Sequence, residues 1–219
     1  MPSRRTCYMC DAPAVSDEHA PPKCFFPESS DVGLDLRTNL ITVPSCIDHN
    51  SSRSKDDEYS MMLVVTHYET NAVAREQFGS KCIRALKHSR GLTSQVFREP
   101  REISLRGEQS LAVDVDRARF DRVMEHTCRA LFFHEFGRKC EGRVFVWSPA
   151  FRHPNFEPDF RESALGYDAR RVLRDEPKRG ANPQAFWYQL ADVPGRLTAF
   201  RLMFFEGCSV YAVSTPEVS

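Results

Sequence analysis

Cys7 and Cys10 stand a short step apart near the start of the chain, and Cys46 and His49 repeat that step further on. Such a step lets one tight turn aim two side chains at a single point. Four soft ligands in two steps close a tetrahedral zinc site with bonds of about 2.0–2.3 Å. No other pattern here constrains the fold as much, because it ties Cys7 to His49 into one knot. The segment between is too rich in proline and polar residues to build a core by itself. Cys24, inside that segment, is the alternative fourth ligand. A closed site leaves no coordination position for substrate, so the zinc is structural and the chemistry lies elsewhere.

Composition narrows the class. The chain has 219 residues, 41% hydrophobic and 27% charged, which suits a globular protein with a real core. The longest apolar run, near Met61 to Thr66, falls far short of the ~20 residues of a membrane span. Met1 to Arg5 carries basic residues with no apolar segment behind them, so no secretory signal is expected and the cytoplasm is the expected compartment. There, the remaining thiols Cys82, Cys128, Cys140 and Cys208 read as reduced core residues. The net charge is zero, so contact with nucleic acid has to come from local clusters.

The periodicity predicts an α+β chain in three segments. Residues 1–70 carry the knuckle, short strands at Lys23–Phe26 and Leu40–Val43 separated by a loop from Glu28 to Asp35, and a helix from Asp48 to about Tyr68. Residues 71–110 form a connector, with a helix from Asn71 to Lys87 broken by Gly91 and weak signals beyond it. Residues 111–219 form the last unit. A strand at Ala112–Val115 precedes a helix from Arg117 to Phe136, capped by Asp116 and ended by Gly137. A strand at Val144–Trp147, a proline-rich loop and a short helix from Asp159 to Leu173 follow. Strands at Phe186–Leu190, Leu197–Phe205 and Ser209–Val213 complete a small antiparallel sheet, the last two joined by a tight turn at Glu206-Gly207.

Chemistry is sought at Glu18-His19. A histidine at a strand edge, held by the knot against a helix bearing Asn50, can take a proton from water. The Glu18 carboxylate and the Asn50 amide oxygen are hard ligands suited to Mg²⁺ or a similar ion. On the bland reading, Glu18 caps a turn and His19 is a surface or zinc-shell histidine. The residues alone leave the two readings equal.

Four stretches carry a resemblance: Cys7-x2-Cys10, Glu18-His19-x-Pro-Pro-Lys23, Asn39-Leu-Ile-Thr-Val-Pro-Ser-Cys46-x2-His49-Asn50, and Ser54-Lys-Asp-Asp-Glu-Tyr59. Together they resemble the HNH endonucleases, whose ββα-metal finger is held by zinc knuckles, over residues 5–60. The resemblance implies a metal-dependent nuclease with structural Zn²⁺ and catalytic Mg²⁺ or Mn²⁺. His19 would be the general base, Asn39 would orient it or its loop, and Glu18 and Asn50 would hold the catalytic ion. Here His49 replaces the commoner last zinc cysteine and Glu18 the commoner aspartate. DNA is the implied substrate, with RNA next, and bacterial defence or element mobility the implied setting.

Lys23, Arg53 and Lys55 flank this region and suit phosphate. Asp56-Asp57-Glu58 sits awkwardly beside them and is assigned to Arg4 or Arg5. In the last segment Arg170, Arg171 and Arg174 share a helical spacing that fits backbone contact. Phe186-Trp187-Tyr188 fits sheet core better than base stacking. The rival from another class is a zinc-knuckle module that binds nucleic acid or protein without catalysis.

Overall fold

The computed structural model describes residues 5–50, 54–105, 107–151 and 164–215. Within them the sheets are all antiparallel and the helices lie mostly in separate stretches of chain, an α+β arrangement. The first segment holds β1 (Ser16–His19), a 3-10 turn at Lys23–Phe25, α1 (Ser29–Val32), β2 (Thr42–Ser45) and α2 (Ile47–Asn50). β1 pairs with β2, with His19 opposite Thr42 and Glu18 opposite Val43. The first segment ends with α3 (Ser54–Val65); the connector holds α4 (Ala72–Gln77), a π-helical turn at Phe78–Cys82, α5 (Ile83–His88), α6 (Arg90–Val96), and most of a hairpin of β3 (Arg101–Leu105) and β4 (Glu108–Ala112). Then come α7 (Arg117–Phe136), β5 (Arg143–Trp147), α8 (Ala164–Leu173), β6 (Arg179–Asn182), β7 (Phe186–Val193), β8 (Leu197–Phe204) and β9 (Cys208–Thr215).

Several elements differ from expectation for local reasons. Lys23–Phe25 is a 3-10 turn and not a strand: the Phe25 and Phe26 amides bond back to the Pro22 and Lys23 carbonyls at 3.0 and 3.1 Å. Ser29–Val32 within the supposed loop forms a helical turn closed by Gly33 at φ 69. The second strand starts at Thr42, after Leu40 and Ile41, because Asn39 turns the chain with φ 51. Gly91 lies inside α6. The break falls at Ser89, which leaves the helical region and caps α6 through its hydroxyl, 3.2 Å from the Leu92 amide. Asp116 and Gly137 bound α7 as predicted. The proposed helix start at Asp159 lies outside the described residues.

The largest sheet runs in the order β5-β9-β8-β7-β6. Strand alternation sends Phe186, Tyr188, Leu190, Phe200, Leu202, Phe204, Val210 and Ala212 to one face. They join a core that takes in Tyr8, Phe25 and Val43 of the first segment, Met61 to Val65 of α3, and Phe120, Met124 and Leu131 of α7. α3 is buried on all sides over Tyr59–Val65, the pattern of a central helix. Ala191, Leu197, Ala199 and Val213 point to the other face and meet Ala169 and Leu173 of α8. Phe186, Trp187 and Tyr188 are all buried, as core aromatics.

Asp56 explains the acidic run. Its carboxylate takes Arg119 at 2.7 Å and Arg122 at 3.3 Å, pinning the start of α3 to α7. Arg5 pairs instead with Asp17 at 3.1 Å, and Arg4 lies outside the described residues.

The β8–β9 turn sits one residue earlier than expected. Its central residues are Phe205 and Glu206, with φ 47 and 58, and the Gly207 amide closes it on the Phe204 carbonyl at 3.2 Å. Asn71 clamps this turn, donating its backbone N–H to the Phe205 carbonyl at 3.0 Å and its side-chain amide to Glu206 at 2.9 Å. Gly207 is needed for close approach: a Cβ there would lie 2.0 Å from the Glu69 carbonyl oxygen. Gly207→Ala is therefore expected to destabilise the fold by about 1–3 kcal/mol, read as a lower urea midpoint with unchanged slope.

Candidate metal centre and the adjoining histidine

The knuckle is built by backbone bonds before any metal is considered. The Cys7 amide bonds to the Ala12 carbonyl at 2.9 Å, and the Tyr8 amide reaches the Pro44 carbonyl of β2 at 2.8 Å. Cys46 follows β2 directly, and His49 sits one turn along α2 on the same side. Hence β-β-α order and the knuckle bring Cys7, Cys10, Cys46 and His49 together, their ligand atoms all within 4.8 Å of one another.

The spacings match a tetrahedral zinc ion. Bonds of about 2.3 Å to sulfur and 2.0–2.1 Å to nitrogen give edges of about 3.8 Å for S···S and 3.5 Å for S···N. The observed distances are 3.9 Å for Cys10–Cys46, and 3.5, 3.6 and 3.1 Å from His49 Nδ1 to Cys7, Cys10 and Cys46. Burial alone would raise the Cys7 pKa, but amides of Met9, Cys46 and Cys10 point at its sulfur and bring it down to about 6. The Met9 amide lies 3.4 Å from that sulfur. A thiolate ready at neutral pH is what a metal ligand requires.

Cys24 is not part of the cluster; burial pushes its thiol up to about 12. Cys82, Cys128, Cys140 and Cys208 are buried, and burial raises each pKa, as expected of inert core thiols. Around the cluster, Tyr8 and His126 had no signal in the sequence as partners. The fully buried Tyr8 places its hydroxyl 3.3 Å from His126 Nδ1 on α7, and the His126 ring centroid lies 5.9 Å from that of His49.

Strand alternation separates the neighbouring pair. Ser16 and Glu18 face α2: the Ser45 hydroxyl donates to the buried Glu18 carboxylate at 3.2 Å, and the Asn50 side-chain amide donates to the Ser16 hydroxyl at 2.7 Å. His19 points the other way, half-buried, at the end of the hairpin away from Cys46. Burial lowers its pKa first, then Lys23, and Arg37 lowers it further, while the Ile41 carbonyl pulls it back. The ring is thus neutral at pH 7, with Nδ1 buried and without a hydrogen-bond partner. Glu18 and Asn50 therefore share a face of the hairpin, and His19 takes the opposite one.

The other predicted residues scatter. Asn39 is exposed in its left-handed turn, which by itself accounts for an asparagine there. Lys23 is exposed beside His19. Lys55 is exposed at the start of α3, with its carbonyl held by Arg119 at 2.8 Å. Arg53 lies outside the described residues. Arg170, Arg171 and Arg174 belong to α8 or its end, across the large sheet from the first segment, so they do not share the surface of His19. Arg37 was missed: its place before β2 gave no motif, yet it is held by the Phe26 carbonyl and Glu28, each at 2.9 Å.

A cavity of about 850 Å³ opens between the end of α7 and the β7–β8 turn, lined by Met9, Arg138, Lys139, Asp192 and Thr198 among others. Its two cations are paired, Arg138 with Asp192 at 2.6 Å and Lys139 with Asp11. No described helix is long and apolar enough to cross a membrane. Compared with protein families, curated proteins and solved structures, the chain matches none.

Proposed function

We propose that the chain is a metal-dependent endonuclease of the HNH type, hydrolysing phosphodiester bonds of DNA, with His19 as the general base. One observation carries the reading: a β-β-α unit, closed by a Cys3His cluster of zinc dimensions, ends its first strand on a neutral, half-buried histidine flanked by Lys23 and Arg37. In the reaction, His19 takes a proton from water, the water oxygen bonds to phosphorus, and the bond to the leaving sugar oxygen breaks, that oxygen then taking a proton from solvent. The four ligands hold zinc as scaffold and keep α2 against β1.

Glu18 and Asn50 lie on one face of the hairpin and would offer a carboxylate and an amide oxygen to a hard divalent ion. Such an ion, Mg²⁺ or Mn²⁺, would sit on the face opposite His19 and would stabilise charge on the phosphate only where the scissile group reaches round the end of the hairpin. A second reading has its own observation: Glu18 is buried and bonded to Ser45, and Asn50 to Ser16, as in a purely structural hairpin. In that case the unit is a non-catalytic zinc-knuckle module.

Titration separates the two. The nuclease should bind one tight zinc and a second, weaker divalent ion, and nick supercoiled plasmid in Mg²⁺ or Mn²⁺. One zinc, no second site and no nicking would leave the binding module.

A further inference from the structure

We propose that Lys23 and Arg37 form a phosphate clamp at the loop end of the β1–β2 hairpin, gripping the backbone of duplex DNA on the face that carries His19. The clamp rests on the nuclease reading and extends it to substrate positioning. Three segments converge there. His19 ends β1, the 3-10 turn opens with Lys23, and Arg37 lies in the loop that returns to β2, where the Ala20 amide bonds the Ile41 carbonyl at 3.0 Å.

Arg37 is fixed before any ligand arrives. Its Nε donates to the Phe26 carbonyl and its Nη1 to Glu28, each at 2.9 Å, while its backbone N–H donates to Asp35 at 3.2 Å. A guanidinium so held loses little freedom on taking a phosphate oxygen at Nη2. Lys23 is exposed and has no carboxylate in ion-pair range among the described residues. Lys23 follows His19 by four residues, and Arg37 is tied to the same turn through the Phe26 carbonyl.

The carboxylates nearby are Asp17, Asp35 and Glu28. Asp17 is paired with Arg5 at 3.1 Å, and Asp35 accepts the Arg37 backbone amide. Glu28, half-exposed, competes directly for Arg37, which makes it a lever. The arginines of α8 offer no equivalent, since the large sheet stands between them and His19.

The test is fluorescence anisotropy of a labelled duplex DNA oligonucleotide, with Ca²⁺ in place of Mg²⁺ and in a His19→Ala background so that nothing turns over. Lys23→Gln and Arg37→Met should each weaken binding several-fold and lower the slope of log K against log salt by about 0.9 for each phosphate no longer neutralised. Glu28→Gln should tighten binding, because it frees Arg37, and Arg171→Gln should change nothing. Zinc content and circular dichroism establish that each variant is folded, and Lys23 and Glu28, both exposed, keep the test open should Arg37→Met misfold. Parental affinity and slope in Lys23→Gln, or no duplex binding by the parent, would overturn the clamp, and an unchanged Glu28→Gln would remove Arg37 from it. Plasmid nicking by the wild-type chain is read separately: nicking with unaltered Lys23→Gln binding sinks the clamp alone, and clamp-dependent binding without nicking sinks the nuclease reading alone.

Discussion

Cys46→Ser is expected to strip the chain of zinc and leave its N-terminal segment unfolded. Cys46 joins β2 to α2, and its sulfur lies 3.9 Å from Cys10 Sγ and 3.1 Å from His49 Nδ1. Serine there offers a weak, hard ligand to a soft site. Structural zinc sites contribute about 10–16 kcal/mol of apparent binding energy in small finger peptides, against total stabilities of about 5–15 kcal/mol for a domain. Losing even half of the former is enough to unfold what depends on it. Much does, because Cys7, Tyr8 and Cys46 belong to the same core as α3, α7 and the large sheet. The damage should therefore spread beyond the knuckle and lower the midpoint of the whole transition. Metal analysis should fall from one zinc per chain to well below one, and near-ultraviolet dichroism should collapse. Cys24→Ala is the control, since that thiol is buried outside the cluster, and it should keep its zinc. Full zinc content in Cys46→Ser would remove Cys46 from the site.

The Cys3His cluster was legible because residues able to share an ion recur at turn-length steps whatever surrounds them. α7 was legible for a similar reason, since its cap, its apolar stripe and its terminal glycine all lie within its own residues. What the sequence hid depends on partners far along the chain. β6, Arg179–Asn182, has no apolar alternation; it is a strand because β7 bonds to it, with Gly180 at φ 127 beside the Phe186 carbonyl. β3 and β4 are largely exposed and polar, and only their mutual register makes them strands. Asp56 looked misplaced until α7 supplied Arg119 and Arg122. Adjacency also misled: Glu18 and His19 are neighbours in sequence, but a pleated strand sends them to opposite faces. Lys23 is close to His19 in the sequence itself. Arg37 needed the folded loop.

His19→Ala is the second large effect, and it should act on rate alone. A general base contributes about 10²–10⁴-fold, so nicking of supercoiled plasmid should fall by that factor in either Mg²⁺ or Mn²⁺. Stability and zinc content should hold, because the ring is only half-buried, its Nδ1 makes no hydrogen bond, and it points away from the Cys3His cluster. The pH profile adds a sign. Burial, Lys23 and Arg37 each favour the neutral ring, so its pKa lies below the usual value of about 6.5 for histidine. The active form of a base is the unprotonated one. Wild-type activity should thus climb with pH on the acid side of that value and stay flat from pH 7 to 8. His19→Gln should be as slow as His19→Ala and lack the acid limb, since an amide cannot take the proton. Glu18→Gln separates the two roles on the hairpin: loss of the weaker divalent site with zinc retained would mark Glu18 as an ion ligand, whereas lowered stability with unaltered ion binding would leave it as the buried partner of Ser45. Retention of wild-type nicking by His19→Ala would end the HNH assignment, because no other described histidine stands at the loop end of this hairpin.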